Sequence, residues 1–135
     1  MLIVHIEPPA TGLMGDQLYR TAQPCRALAA QPGTFVISGH WLSAAIREAA
    51  RCADVLVLCQ AVDVDMLPLC LLRRAAGRPT VFEINDDFLA PPQAIAAASF
   101  CANPIMLGLT LQLCALCDAR QFSSPALRSR FAELG

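Results

Sequence analysis

The chain contains no lysine: all ten of its basic residues are arginine. That excludes any mechanism that needs a lysine, including the Gly-Lys-Ser/Thr ending of a phosphate-binding loop. Charge of either sign is scarce. Asp, Glu and Arg together make up 16% of the residues, against about 25% in a typical soluble domain. The net charge of -1 leaves no electrostatic case for a nucleic-acid or acidic-lipid partner. A spanning apolar run is also missing. The longest stretch, Pro104 to Cys117, is interrupted by Thr110 and Gln112 and is too short for a bilayer. No signal peptide is visible. The seven cysteines are odd in number and scattered over predicted helices and strands, so buried thiols in a reducing cytosol are expected, not a disulfide framework.

What is present is apolar surface. The chain is 135 residues long, 56% hydrophobic, with a mean hydropathy of +0.49. That length predicts one domain with a real core, and the apolar excess predicts that a partner covers some of its surface. Strand-like and helix-like segments alternate. "MLIVHIE", "TFVISG", "DVLVLC", "TVFEI" and "ARQFSS" read as five strands. Between them, a helix is expected to run to about Gln31 with Pro24 in or near its first turn. "WLSAAIREAARC" reads as an amphipathic helix with Leu42, Ile46 and Ala49 on one face. "MLPLCLLRRAAG" reads as a helix stopped by Gly77. An Ala-rich helical stretch should follow the fourth strand, then an apolar helix from about Pro104, and Pro125 should open a last helix. This alternation predicts an α/β fold: a Rossmann-like, doubly wound parallel sheet of about five strands with helices on both faces. Ligands in such folds lie outside the carboxyl ends of the strands, so the loops after Ile6, Ser38, Cys59, Ile84 and Phe122 are the places to look.

Candidate residues sort unevenly over those loops. Gly12 and Gly15 form a G-x-x-G, not a dinucleotide fingerprint; they suit a flexible turn or a loop whose amides approach a ligand. Arg20, just beyond, could hold an anion or a hydroxyl, or be a solvated helix charge. Cys114 and Cys117 form a C-x-x-C with no second pair to complete a zinc site, and His5 and His40 stand far apart, so no metal and no cofactor are expected. His5, inside the first strand, reads as a satisfied core histidine. Asp63 and Asp65 precede a helix and read as caps. "VFEINDDF", Val81 to Phe88, is the least ordinary stretch. Period two puts Val81, Glu83 and Asn85 on one side of the strand and Phe82, Ile84 and Asp86 on the other. Glu83 is costly to bury without a partner, and Asp86 beside Asp87 is self-repelling. The cluster reads as a polar site at the ligand edge, or as an N-cap in a wet loop. A phosphoryl-receiver site would need an Asp ending the third strand and a Lys ending the fifth; the third ends in Cys59-Gln60 and there is no lysine.

"GRPTVFEINDDF", preceded by "ADVLVLCQ" and followed by "DARQFSSPALRSRFAELG", resembles the N-terminal half of bacterial glycosyltransferases of the two-Rossmann-domain (GT-B) architecture, of the family 1/4 type. Their fourth strand commonly reads like Y-E-I-D-D-D. Their fifth region reads like D.v.vST..L, matched by Asp118 through Leu127. "YRTAQPCRAL", with Arg20, Pro24 and Leu28, resembles their R-x-x-x-P-x-x-x-L opening helix. The resemblance spans nearly the whole chain, and the order of the motifs carries it. It implies that residues 1–135 form the acceptor-side domain of a hexosyltransferase, inactive without a C-terminal nucleotide-sugar-binding domain. It implies that Gly12, Gly15, Arg20, Gln60, Asn85, Ser123 and Ser124 line the acceptor cleft, with Asp86 and Asp87 catalytic, as general base or as orienting groups. Asn85 stands where that family has Asp and is not expected to be the base. The implied partners are a nucleotide-sugar donor and a hydroxyl acceptor, in the cytoplasm or at the face of the inner membrane. The 104–117 helix suits a homodimer or domain contact. The alternative is a non-catalytic Rossmann-like module that binds a ligand or a protein through the same edge.

Overall fold

The structure, a computed structural model, describes residues 1–8, 17–60, 62–90 and 103–132. Strand β1 (Leu2–Ile6) is followed by a π-helical stretch, Gln17–Ala22, that runs directly into α1 (Gln23–Ala29). Then come β2 (Phe35–Gly39), α2 (Ala44–Cys52), β3 (Val55–Cys59), α3 (Met66–Ala75) and β4 (Thr80–Ile84). The chain continues through α4 (Pro104–Leu116), β5 (Ala119–Phe122) and α5 (Pro125–Ala132). All strand pairings are parallel, in the order β2-β1-β3-β4-β5. This is the expected doubly wound, Rossmann-like α/β sheet. Its order reverses between β1 and β3, the position at which such sheets open a crevice. The Ala-rich segment expected after β4 lies outside the described residues.

The strands are short and β-branched or apolar, and the two-residue period divides them cleanly. Val4, Ile6, Leu56, Leu58, Phe82 and Ile84 are all fully buried and share one face. Ile46 and Ala50 of α2, Met66, Leu69 and Cys70 of α3, Leu113 and Cys114 of α4, and Leu127 and Phe131 of α5 complete that core. The opposite face carries Ile3, His5, Val57, Cys59, Val81 and Glu83, as the strand register requires. The π-helical stretch and α1 cover part of it through the buried Thr21 and Cys25.

Details of the helices differ from expectation for local reasons. Leu42 was expected on the buried face of its helix, yet it is 71% exposed, because α2 begins only at Ala44, after an extended Ser43. The buried stripe is Ile46 and Ala50 instead. The first helix stops at Ala29, and Pro24 sits in the first turn of α1, just where the π-helical register ends. At α3, Asp63 accepts the amide of Asp65 in a local turn (2.9 Å), while Asp65 holds the N-cap position without a side-chain bond. Gly77 stops α3 as expected, in a left-handed conformation (φ 66°) that a side chain adopts poorly. A Cβ at Gly39 would lie 2.7 Å from Cδ1 of Ile46, so a larger residue there would push that side chain aside.

The amino end of the sheet is fixed by an unexpected residue. Arg73 is 2% exposed. It donates from Nε to the Thr80 hydroxyl (3.0 Å), from Nη1 to the carbonyls of Ala50 and Ala53 (2.8 and 2.9 Å), and from Nη2 to that of Pro79 (2.9 Å). It thereby ties the end of α2 to the start of β4 from within α3. Two aspartates clip neighbouring strands at the same end. Asp54 accepts from Leu2 N (2.6 Å) and Asp118 from Thr80 N (2.8 Å), while their own amides return the bond to Leu2 O and Thr80 O. Replacing Arg73 by Leu removes the guanidinium from the Ala50 and Ala53 carbonyls and the Thr80 hydroxyl, while Pro79 O keeps the Leu56 amide. The expected cost is about 3–5 kcal/mol, read as a lowered urea midpoint. A loss under about 1 kcal/mol would mean that water replaces the guanidinium.

Candidate functional site

The carboxyl ends of β3 and β4 carry the first of two polar groups. Gln60, immediately after β3, has a left-handed backbone (φ 47°), a conformation disfavoured for any residue with a Cβ. It lets the side-chain amide reach across to the carboxylate of Asp86 (3.2 Å), while the Gln60 amide bonds Glu83 O. Asp86 is otherwise exposed. Asp87 is held differently: one oxygen accepts Leu89 N (3.1 Å) and the other pairs with Nε of Arg130 on α5. Ser123 donates its hydroxyl to Asn85 O (2.9 Å), and Ser124 caps α5 by accepting Leu127 N (3.2 Å). Phe88 packs edge-on against Phe131 at 4.7 Å.

The structure thus brings Gln60 and Asp86 together and Asn85 to Ser123. It ties Asp87 and Ser124 to α5, where their contacts are those of an ion pair and a helix cap. Gly12 and Gly15 lie outside the described residues. Asp118, matched to the resemblance at its fifth region, is a strand clip at the far end of the sheet.

Arg20 belongs to a second group, under the π-helical stretch. Glu83 is 2% exposed and His5 is 3% exposed. The two stand on β1 and β4 with β3 between them, and they lean over β3 until His5 Nε2 lies 3.9 Å from a Glu83 carboxylate oxygen. Arg20 Nη1 reaches the other oxygen at 3.8 Å from a side chain 34% exposed. Both distances exceed a hydrogen bond. Burial lowers the pKa of His5 to about 4, so the imidazole is neutral near pH 7, and its approach to Glu83 is not an ion pair. His5 Nδ1 and Thr21 Oγ1 find no hydrogen-bond partner among the described residues, although Thr21 is 1% exposed. His5 is thus the core histidine expected, with Nε2 facing Glu83 and Nδ1 without a partner among the described residues. Cys25, one turn beyond Thr21, has its thiol pKa raised, by burial first and then by Glu7 and Glu83. π-Helical turns are rare and often occur at functional positions. Sequence reasoning left Glu83 unexplained and dismissed His5. The available signal was that both occupy the penultimate position of their strands and share one face.

A third feature is a shallow cleft of about 140 Å³ lined by Glu7, His40, Trp41, Leu42, Val62, Asp63 and Met66, beside the β1/β3 switch point. It shares no residue with either polar group. His40 Nδ1 accepts Leu42 N (3.2 Å), which leaves Nε2 as the imidazole's outward group.

Of the other described thiols, Cys59, Cys70, Cys114 and Cys117 are buried and Cys52 is exposed. Burial pushes Cys114 up to about 12. Cys117 is raised by donating to Cys70, whose own pKa that bond lowers. No group of three or more His, Cys, Asp or Glu among the described residues is arranged for a metal ion, and no described helix is long and apolar enough to cross a membrane.

Fold and site together define a five-stranded parallel α/β protein with a polar carboxyl edge. No protein-family model and no curated protein matches the chain. Among solved structures it is similar to a conserved protein from Enterococcus faecalis V583, at 13% identity and a TM-score of 0.53, over 100% of this chain and 99% of that one. That likeness establishes the fold.

His5 also sets a pH dependence. Its folded pKa, about 4, lies below the unfolded value of about 6.5, so the unfolded chain binds the extra proton between those limits. Stability is full above pH ~6.5 and falls by up to about 3 kcal/mol as the pH drops to ~4. Urea midpoints at stepped pH, compared with His5→Gln, check this. The variant is expected to show a flatter profile over that window, and identical profiles would remove His5 as the cause.

Proposed function

We propose that this chain is the acceptor-side domain of a GT-B glycosyltransferase, holding a hydroxyl-bearing acceptor at the carboxyl edge of the sheet. A second domain would carry the nucleotide sugar, and the pair would act in the cytoplasm or at the face of the inner membrane. The observation that supports this best is the strained Gln60, whose side chain holds the exposed Asp86 at the rim beside the switch point. Strain in a left-handed backbone is maintained only where surrounding contacts enforce it, and such residues concentrate at functional sites. Asp86 is the candidate base or orienting group for the acceptor hydroxyl. Asp87, paired with Arg130, is reassigned to holding the loop on α5. The reading also rests on the motif order set out above.

A non-catalytic ligand-binding module is the second reading. The commitment of Asp87, Ser123 and Ser124 to internal contacts favours it, because fewer groups are left for chemistry.

Sequencing the gene beyond codon 135 and assaying the encoded polypeptide separates the two. With a nucleotide-sugar-binding domain present, Asp86→Asn is expected to lower turnover by about 10²–10⁴-fold. Asp87→Asn is expected to lower mainly the melting temperature. Gln60→Gly, which suits the backbone angle, should keep the fold and lower turnover by loosening Asp86. Wild-type turnover in Asp86→Asn would remove that residue from the mechanism. Tight nucleotide-sugar binding by residues 1–135 alone would contradict the acceptor-side assignment.

A further inference from the structure

The cleft beside the β1/β3 switch point is the place where three strand ends meet. Glu7 follows β1 directly, and its amide bonds Gly39 O (3.0 Å), carrying the β1–β2 pairing one residue further. His40, Trp41 and Leu42 follow β2, Val62 and Asp63 come from the loop after β3, and Met66 opens α3. In doubly wound sheets such a meeting of carboxyl ends is where ligands bind. The volume, about 140 Å³, is below the roughly 300–1,000 Å³ of sites that enclose a drug-sized molecule, so it suits a small ligand. Leu42 is 71% exposed here, an apolar side chain left without a covering helix because α2 begins after it.

The lining selects by charge. Two carboxylates, Glu7 and Asp63, border the cleft and no arginine does. Asp63 gives one oxygen, Oδ1, to the Asp65 amide (2.9 Å) and keeps Oδ2, and among the described residues the Glu7 carboxylate has neither hydrogen bond nor ion pair. An anion would be repelled. A metal ion finds no group of three or more His, Cys, Asp or Glu arranged for it among the described residues. A neutral apolar molecule would strip water from the carboxylates and return no bond. An organic ammonium meets both requirements, with its charge on the carboxylates and its apolar body on Trp41, Leu42 and Val62. An indole adds to the preference, because its face attracts cations. His40 accepts Leu42 N at Nδ1 (3.2 Å), so its neutral ring carries the proton on Nε2 and can donate to an oxygen of the same ligand.

We propose that this cleft binds a small organic amine, its ammonium group held by Glu7 and Asp63 and its apolar part lying against Trp41 and Leu42. The site goes beyond the acceptor reading. It shares no residue with the rim at Gln60 and Asp86, and it stands whether or not the protein transfers sugar.

Trp41 is the only tryptophan of the chain, so its fluorescence reports occupancy of the cleft directly. Benzylamine is titrated into residues 1–135 near neutral pH, with benzyl alcohol as its neutral counterpart and benzoate as the anion, all at matched ionic strength. The expected result is a saturable change in Trp41 fluorescence with benzylamine. Its binding should be about tenfold or more tighter than that of benzyl alcohol, the effect of one charge-assisted hydrogen bond, and benzoate should not bind. NMR shifts of the His40 and Val62 amides should follow the same titration curve. Glu7→Gln and Asp63→Asn should each weaken benzylamine about tenfold or more and bring its affinity toward that of benzyl alcohol. Asn at position 63 keeps an oxygen for the Asp65 amide, so its melting temperature should stay close to that of the wild type. The three-ligand series needs no variant and decides alone where a variant fails to fold. Equal binding of all three ligands would mean an apolar crevice without charge selection and overturn the proposal. So would binding of benzoate in place of benzylamine, no fluorescence change with benzylamine, or folded variants that bind it as the wild type does. Amide shifts confined to Gln60 and Asp86 would place the amine at the rim and likewise overturn it.

Discussion

Arg73 is the constraint on which the arrangement of this sheet depends. An α/β layer protein must end its helices against the starts of its strands, and each end exposes carbonyls that need donors. Here one guanidinium supplies four bonds to the end of α2, the residue before β4 and the first residue of β4. Burial, and then nearby Arg78, lower its pKa, but a guanidinium stays charged in a protein, so its bonds are charge-assisted. Asp54 and Asp118 add the same logic in opposite charge, each closing a two-bond ring with the first residue of a neighbouring strand. Polar chemistry at the amino end is therefore saturated.

The carboxyl end is the contrast. There the strands deliver Glu83 and His5 to one face, and the β4 loop delivers Asp86 to the rim. Arg20 forms an ion pair with Glu83 at 3.8 Å, and Gln60 adopts a disfavoured backbone to hold Asp86. A fold secured at one end can tolerate such cost at the other, which is the usual division in parallel sheets. Fold likeness does not say what is bound there, because one α/β layer architecture hosts many chemistries.

The five strands and most helices were legible because short β-branched runs and Gly77 leave a strong local pattern. Strand order was not legible, and the Glu83–His5 contact depends on it, since only the β1-β3-β4 adjacency brings their side chains over a common strand. Arg73 was nearly legible. Met66, Leu69, Cys70 and Arg73 recur at helical spacing as the buried stripe of α3, and the arginine merely continues it, while Arg74 beside it points outward. The π-helical register of residues 17–22 had no visible cause in the sequence beyond Pro24 downstream. Leu42 was misplaced because the start of a helix two residues late turns an inward position outward.

Depth separates the two acidic groups at the carboxyl edge. Glu83 lies within β4, buried on the face beneath the π-helical stretch; Asp86 lies past the end of the strand, exposed and reached by Gln60. A carboxylate as enclosed as Glu83 is well placed to fix orientation, because its low-dielectric surroundings strengthen every hydrogen bond it accepts. A carboxylate at the rim, as Asp86 is, stays exposed and hydrated. Glu83 inside the strand and Asp86 beyond it therefore stand in two different environments of one sheet edge, and Asp87, paired with Arg130, already belongs to the scaffold.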